Sequence, residues 1–366
     1  MIYKVYRFRV KSRAGELNRQ AKAVNFVWNY ANNAQKHAIK WSTKWPTAYD
    51  LMKLTTGTCE ELGIGAATIT SICGQYVSSR GRKPYLRYRG KRALGWIPFK
   101  AEQIKITPNG FVFRGVAFRV FAKRVVDGTV VDGGSFSQDK LGNWYLNVVV
   151  KIAAAEMRNI RCGVGIDLGL KELATLSTGE KIANPRHYQR LQERIATAQR
   201  ARKKRQAAKA QAKAANCRKD HLHKASLDIV RRFDYIAVGN VKAAGLKQTN
   251  LGKSVSDAGW TTFRNMLRYK AIAHGATFEE VSERFTTQTC HECGSIAGPK
   301  GQTGLNERSW VCVHCGAIHD RDVNAAKNIL FRGSGHGTLV EGIATSLVAG
   351  VPTSPNWWSP PREISK

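Results

Sequence analysis

Towards the C-terminal end of the chain, "CHEC" and "CVHC" pair Cys290 with Cys293 and Cys312 with Cys315, two Cys-x-x-Cys knuckles separated by 18 residues. Each knuckle can aim two thiolates at one tetrahedral ion, and Gly294 and Gly316, directly after them, relieve the tight turn around the sulfurs. The spacing predicts structural Zn²⁺ held by all four thiolates. Such a shell is closed, so the ion holds structure and performs no hydrolysis. His291, His314 and His319 are then spare, as surface or outer-shell groups. The remaining cysteines, Cys59, Cys73, Cys162 and Cys217, sit alone, which is not a disulfide framework.

Two aspartates carry a second kind of chemistry. Asp167 lies in the apolar stretch "GVGIDLGLKELA", where flanking Gly165 and Gly169 allow another backbone or a phosphate to come close. A charge inside such a strand must be paired, and a divalent cation is one way; an Asp that ends the strand in a turn is the other reading. Asp322 lies in "HDRDVNAAKNIL", just ahead of a helix whose small Ala325 and Ala326 permit close packing on a sheet. Either Asp320 or Asp322 can instead cap that helix. Two-metal phosphodiester cleavage needs several carboxylates converging on ions about 3.5–4 Å apart, and two aspartates far apart in sequence satisfy part of this.

The elements that must position these groups sit in a chain of 366 residues, 43% hydrophobic, enough for two or three packed units. Its formal charge of +33, from 59 Lys and Arg against 26 Asp and Glu, makes most sense beside a polyanion. Nucleic acid is the leading partner; ribosomal or membrane-surface binding is the alternative, but the basic residues are spread along the chain and not confined to a tail or one face. The N-terminal "MIYKVYRFRVKSRAG" alternates like an edge strand and lacks a signal-peptide core, and no apolar run approaches the roughly 20 residues that cross a bilayer. A soluble, intracellular protein without a membrane partner is expected.

Residues 1–10 predict a strand, and the segment from Gly15 an amphipathic helix with Leu17, Ala21, Val24, Val27 and Trp28 on one side. "AATITSICGQYVSSR" predicts a second helix, followed by the basic loop "GRKPYLRYRGKR", suited to phosphate contact. Between Gly95 and Ile152 the pattern becomes strand-turn-strand, with a Pro-Asn-Gly turn, and reads as a small β-barrel-like domain completed by the N-terminal strand. From Arg161 the order is strand, strand, a long Ala/Lys/Arg/Gln-rich helical region, a strand at 235–239, a helix near 254–274, a strand at 276–285, the cysteine module and a last helix. That is an α/β layout with a mixed sheet. The Gly/Pro/Ser-rich stretch 333–366 is expected to be a poorly ordered tail.

"GIDLG", "HKASLDIVRRFDYIAVGN", "TTQTCHECG", "CVHCG" and "DRDVNAAKNI" together resemble the TnpB proteins of insertion sequences, relatives of type V CRISPR effectors. The likeness is specific over about 160–331 and looser over 1–155. It implies a multidomain chain of α/β and β mixed class: a wedge-type β-barrel (1–13 and 92–158), a helical recognition insertion (14–91), an RNase H-like (RuvC) nuclease domain (159–289 and 316–332) and a zinc-ribbon insertion (290–315). It further implies an RNA-guided DNA endonuclease of a transposable element, carrying a guide RNA from the transposon end and cutting double-stranded DNA beside a short adjacent motif with Mg²⁺ or Mn²⁺. A prokaryotic, nucleoid-associated monomer on RNA is the expected form. Arg200, Arg202, Lys203, Lys204 and Arg205 crowd the helical region's first turns, suited to the backbone of a guide–target heteroduplex. Trp28, Tyr30 and Tyr76 can stack on bases or pack in a core.

In that family the positions matching Asp167 and Asp322 are catalytic, whereas the middle glutamate falls on Gly239 here. Either the chain is a catalytically inactive RNA-guided DNA-binding repressor, or its third acid comes from elsewhere. In an RNase H-type sheet the strand at 276–285 lies about 4.8 Å from the one ending at Gly239, and alternation puts Glu279, Val281, Glu283 and Phe285 on one face. Glu283, nearest the cysteine module, is the expected replacement; a surface pair with Arg284 is the other reading. Asp167, Glu283 and Asp322 are thus the expected catalytic set. A guide-free RNase H-like resolvase or transposase is a further alternative.

Overall fold

The computed structural model describes residues 2–108, 110–121, 129–241, 252–300, 304 and 307–334. Of the expected tail 333–366, Gly333 and Ser334 instead end the last helix, and the rest from 335 onward, like Asn109 of the Pro-Asn-Gly turn, lies outside the described residues.

The first half contains β1 (Ile2–Arg9), β2 (Trp96–Phe99), β3 (Ile104–Thr107), β4 (Gly110–Phe113), β5 (Val116–Arg119), β6 (Thr129–Gln138) and β7 (Trp144–Ile152). Alternation in β1 buries Tyr6 and Phe8 and leaves Tyr3 and Val5 in solvent. β1 joins β7 along its whole length in an antiparallel sheet ordered β1-β7-β6-β2, while β3, β4 and β5 form a separate antiparallel meander. A Val10–Val120 bridge ties the end of β1 to the end of β5. Phe99, Phe111, Phe113 and Phe118 surround Phe136 with ring centroids 5.0 to 6.0 Å away, filling the space between the two sheets.

Four helices interrupt this unit: α1 (Ala14–Lys40), α2 (Ala48–Leu54), α3 (Cys59–Leu62) and α4 (Ala66–Arg80). α1 buries Leu17, Ala21, Val24, Val27 and Trp28 on one side. Tyr76 is fully buried and donates to Asn32, so its stacking role is excluded; Trp28 is nearly buried and Tyr30 half-exposed.

The second half contains β8 (Gly163–Leu168), β9 (Glu172–Leu176), β10 (Lys181–Ala183), α5 (His187–Arg200), α6 (Lys204–Arg232), β11 (Tyr235–Gly239), α7 (Gly252–Ala258), α8 (Trp260–His274), β12 (Thr277–Val281), β13 (Ser309–Val311), β14 (Ile318–Asp320) and α9 (Arg321–Ser334). Among the described residues its main sheet is ordered β10-β9-β8-β11-β12. β9 runs antiparallel to β8, and β11 and β12 run parallel to it, giving the mixed α/β sheet.

Three expected elements differ. The single long helical region is two helices, α5 and α6, broken where Arg202 takes a left-handed φ of 54°. Arg200, Arg202, Lys203, Lys204 and Arg205 therefore sit at the connection of a helical hairpin and not on successive turns of one rod. The helix near 254–274 is interrupted at Gly259, and the strand expected to reach 285 stops at Val281. Phe285, at φ 62°, cannot continue it.

Candidate functional site

The cysteine module consists of two matching turns. Gly294 N–H donates to Cys290 C=O and Gly316 N–H to Cys312 C=O, and the two glycines share a φ of 74°. β13 and β14 pair across the second turn. The Sγ atoms of Cys290, Cys293, Cys312 and Cys315 all lie within 4.8 Å of one another, the spacing of a tetrahedral thiolate cage. Burial pushes the Cys290 thiol up, while the Ser295 hydroxyl lowers Cys312. His319 is not a surface group: it is buried, with Nε2 3.1 Å from Cys290 Sγ and its ring against Trp310. The cage fits Zn²⁺. Cys312→Ser is expected to lower bound zinc, measured by mass spectrometry of metals, from about one per chain to well below half, with a fall in melting temperature.

The acidic site is built on β8. Val164, Ile166 and Leu168 point into the apolar core, so Gly165 and Asp167 share the opposite face. A Cβ on Gly165 would fall 2.0 Å from the Ala326 carbonyl oxygen and 2.7 Å from Leu330 N, so α9 lies directly against this face. Two residues along a strand and one turn of helix are both about 6 Å, so the contact of Gly165 with Ala326 leaves Asp167 and Asp322 facing each other one rung away. Gly165→Ala must push α9 off the sheet. A loss of roughly 3 kcal/mol is expected, read as a lower denaturation midpoint together with lost activity.

Asp320 and Asp322 divide their work. One carboxylate oxygen of Asp320 accepts the N–H groups of Asp322 and Val323 at 3.0 and 3.1 Å, and the other accepts Lys181 at 2.6 Å. Asp320 is therefore the helix cap, leaving Asp322 free to face β8. Asp322 accepts Arg308 Nη1 at 2.9 Å, an arginine from the strand side of the cysteine module.

Glu283 lies two residues past β12. Its Oε2 is 3.0 Å, and its Cβ 3.5 Å, from the point where a Cβ on Gly239 would sit. Strand ends and side chain thus meet: β11 pairs Gly239 with Val281, and the ladder continues as Asn240 N–H donates to Val281 C=O. Helix α9 holds this segment in place. Arg332 donates to the carbonyls of Ser282 and Arg284 on either side of Glu283, and Asn324 and Asn328, one turn apart, both donate to the carbonyls of Thr286 and Thr289. One helix carries Asp322 and positions Glu283.

Burial first, then the charges of Asp322 and Glu283, push Asp167 up to about 8, with Arg321 opposing. Burial also holds Glu283 above the ordinary carboxylate range, with Arg264 opposing. The three acids lie within electrostatic reach, but among the described residues only the four cysteines close to within 4.8 Å. Arg308, Asn324, Asn328 and Arg332 were not anticipated. The Asn-x-x-x-Asn spacing in "NAAKN" was the available signal, since it puts both amides on one helix face.

Fold and site define a basic, mixed α/β protein with a metal-competent four-cysteine cage and, on the sheet, Asp167 within electrostatic reach of Glu283 and Asp322. Residues 148–250 match a family model described as "Probable transposase", and residues 260–329 one described as "Cas12f1-like, TNB domain". A Streptomyces pristinaespiralis protein named "Putative RNA-guided DNA endonuclease" is 37% identical over 221 residues, 57% of this chain and 54% of the relative, so the match spans about half of that relative's length. An Escherichia coli K12 protein named "Putative RNA-guided DNA endonuclease InsQ" is 24% identical over 369 residues, 89% of this chain and 90% of the relative. The chain is thus similar, over both matched stretches, to transposon proteins of the TnpB kind. A solved Cas12f1–sgRNA–target DNA complex aligns over 90% of this chain and 99% of its own at 14% identity and TM-score 0.37, too loose a likeness to bear on the site.

Proposed function

We propose that this chain is an RNA-guided DNA endonuclease of a transposable element, cutting double-stranded DNA beside a short adjacent motif by metal-assisted phosphodiester hydrolysis. One observation carries the reading: Glu283 Oε2 stands 3.0 Å from where a side chain on Gly239 would begin, and the charges of Glu283 and Asp322 are both felt at Asp167. The sheet order, with an antiparallel β8–β9–β10 meander followed by parallel β11 and β12, supports an RNase H-like (RuvC) domain. The β1–β7 unit would serve as the wedge, α1–α4 as the recognition insertion and the cysteine module as the zinc ribbon.

An aspartate whose carboxyl is pushed up by desolvation and by the charges of two neighbouring acids fits a divalent cation, and Asp167, Glu283 and Asp322 would hold Mg²⁺ or Mn²⁺. When bound, such ions supply an activated water and charge stabilisation at the leaving oxygen. Arg308, already hydrogen-bonded to Asp322, brings a guanidinium whose fork can orient a phosphate. The α5–α6 connection, where Lys203, Lys204, Arg205, Gln206 and Lys209 line a polar cleft, would grip the sugar–phosphate backbone of a guide–target heteroduplex without reading sequence.

Purified protein is expected to carry RNA, seen as RNase-sensitive absorbance at nucleic-acid wavelengths. Once that RNA is sequenced, a matching plasmid should be linearised in Mg²⁺. Absence of RNA would favour a guide-free resolvase or transposase. RNA-dependent DNA binding without cutting would favour a catalytically silent repressor, the reading that the glycine at 239 and the Arg308–Asp322 ion pair support.

A further inference from the structure

We infer that the cleft between α1 and the segment 81–95 is a stacking cradle for an unpaired base of RNA, an inference that rests on the nucleic-acid reading above. The segment has no helix or strand, yet its backbone is fixed. Asn32 donates Nδ2 to Leu86 C=O at 2.7 Å and accepts Leu86 N–H at 3.0 Å, and Asn29 brackets Arg89 in the same way at 3.1 and 2.7 Å. Asn33 accepts the Tyr88 hydroxyl at 2.6 Å, and Asn25 accepts Arg89 Nε at 2.5 Å. Positions 25, 29, 32 and 33 share one side of a helix, so a ladder of amides holds the strap from below.

What the strap presents is aromatic and cationic. Tyr85 and Tyr88 are 52% and 45% exposed, and Lys36 Nζ stands 4.8 and 4.6 Å from their ring centroids. A cleft of about 750 Å³ is lined by Trp28, Tyr85, Leu86, Arg87, Tyr88 and Leu94 among others. Trp28, its floor, is held edge-on to Tyr76 and Trp96, with interplanar angles of 82° and 87°, and cannot swing away. No Asp or Glu occurs from Leu17 to Lys40 or from Gly81 to Gly95, while Arg82, Lys83, Arg87, Arg89, Lys91 and Arg92 all fall on the strap.

Fixed ring faces surrounded by cations complement a base with its phosphates on either side. A paired base has no free face to offer. RNA supplies splayed bases in loops, bulges and ends, whereas DNA must first be melted at a cost of a few kcal/mol. RNA is therefore the occupant these features favour over DNA, and the unbroken positive charge disfavours a basic or neutral protein surface.

The test uses the full chain, stripped of co-purified nucleic acid, and 12-nucleotide probes: single-stranded RNA, single-stranded DNA and an RNA duplex. Tyr85→Ala with Tyr88→Ala should weaken single-stranded RNA binding about fivefold to a hundredfold, the range for losing one stacked base. Tyr85→Phe with Tyr88→Phe keeps the ring faces and should stay within about twofold of wild type, which separates stacking from loss of the strap. Duplex affinity should be unchanged by either pair. Equal loss on duplex, equal loss with phenylalanine, or no loss would overturn the cradle; the same tyrosine dependence on single-stranded DNA would overturn its assignment to RNA. Failure to bind any of the probes would instead remove the nucleic-acid reading itself.

Discussion

Glu283→Ala will abolish plasmid cleavage, and adding Gly239→Glu to that variant will restore part of it. Removing one carboxylate from a shared cation site takes away several kcal/mol of transition-state charge stabilisation, so a loss of roughly a thousandfold is expected. The rescue follows from steric exclusion at one point in space. A Cβ on Gly239 meets Glu283 Oε2 at 3.0 Å and Ile329 Cδ1 at 3.2 Å, so glutamates at both positions would compete for one seat. With Ala at 283 the nearest remaining atom of that residue is its Cβ, at an ordinary 3.5 Å, and only the flexible end of Ile329, at 3.2 Å, must shift by a few tenths of an ångström. β11 stays paired on both sides, to β8 and β12, so its end is rigid enough to carry a new side chain to the same place. Gly239→Glu alone should be no more active than wild type. Cleavage at the wild-type rate by Glu283→Ala would sink this placement of the third acid, while leaving open a nuclease that works with two. Rates are compared in single-turnover plasmid assays at matched RNA loading.

Legibility from the sequence followed the range of the forces involved. The cysteine knuckles were readable because the ligand pairs are local, and the turn that aims each pair is written in adjacent residues such as Gly294 and Gly316. The amphipathic stripe of α1 and the extent of α4 were readable for the same reason: periodicity records which side is buried. The break at Arg202 was not, because a run rich in Ala, Lys, Arg and Gln favours helix everywhere, and only folding of α5 back along α6 selects the point of reversal. β10, at three residues, carries no periodic signal, and β12 stopped short where Phe285 turns left-handed. The acids could be named by type and by resemblance, but what holds them could not. Asn324, Asn328 and Arg332 grip carbonyls 35 to 50 residues away in sequence, contacts that no local pattern encodes. The Arg308–Asp322 pair spans only 14 residues but depends on the β13–β14 register, which sets Ser309 opposite Asp320 and Arg308 beside the start of α9.

Asp167→Asn should eliminate cleavage and yet stabilise the metal-free protein. In the folded state the Asp167 carboxyl titrates at about 8, against roughly 3.9 for an unfolded chain. Between those values the folded state holds a proton that the unfolded state has lost, so the metal-free fold loses stability as pH rises from about 4 to about 8 and loses no more from this group above that. The cost reaches a few kcal/mol at the upper end, and Asn, which carries no charge to desolvate, avoids it. Metal-free wild type should therefore melt progressively lower than Asp167→Asn as pH is raised from about 4 to about 8, with the gap nearly closed at the lower end. Comparing the two proteins at each pH removes the contribution of titrating groups not coupled to Asp167, including self-repulsion of the +33 charge. Mg²⁺ should reverse the order, since a cation bound among Asp167, Glu283 and Asp322 stabilises only the chain that can ionise there. Because binding must release the Asp167 proton, Mg²⁺ affinity should fall by up to tenfold for each pH unit below about 8. Melting curves that respond equally to Mg²⁺ in wild type and Asp167→Asn would place the cation elsewhere, and would separate the stability of this sheet face from any role in cutting phosphodiesters.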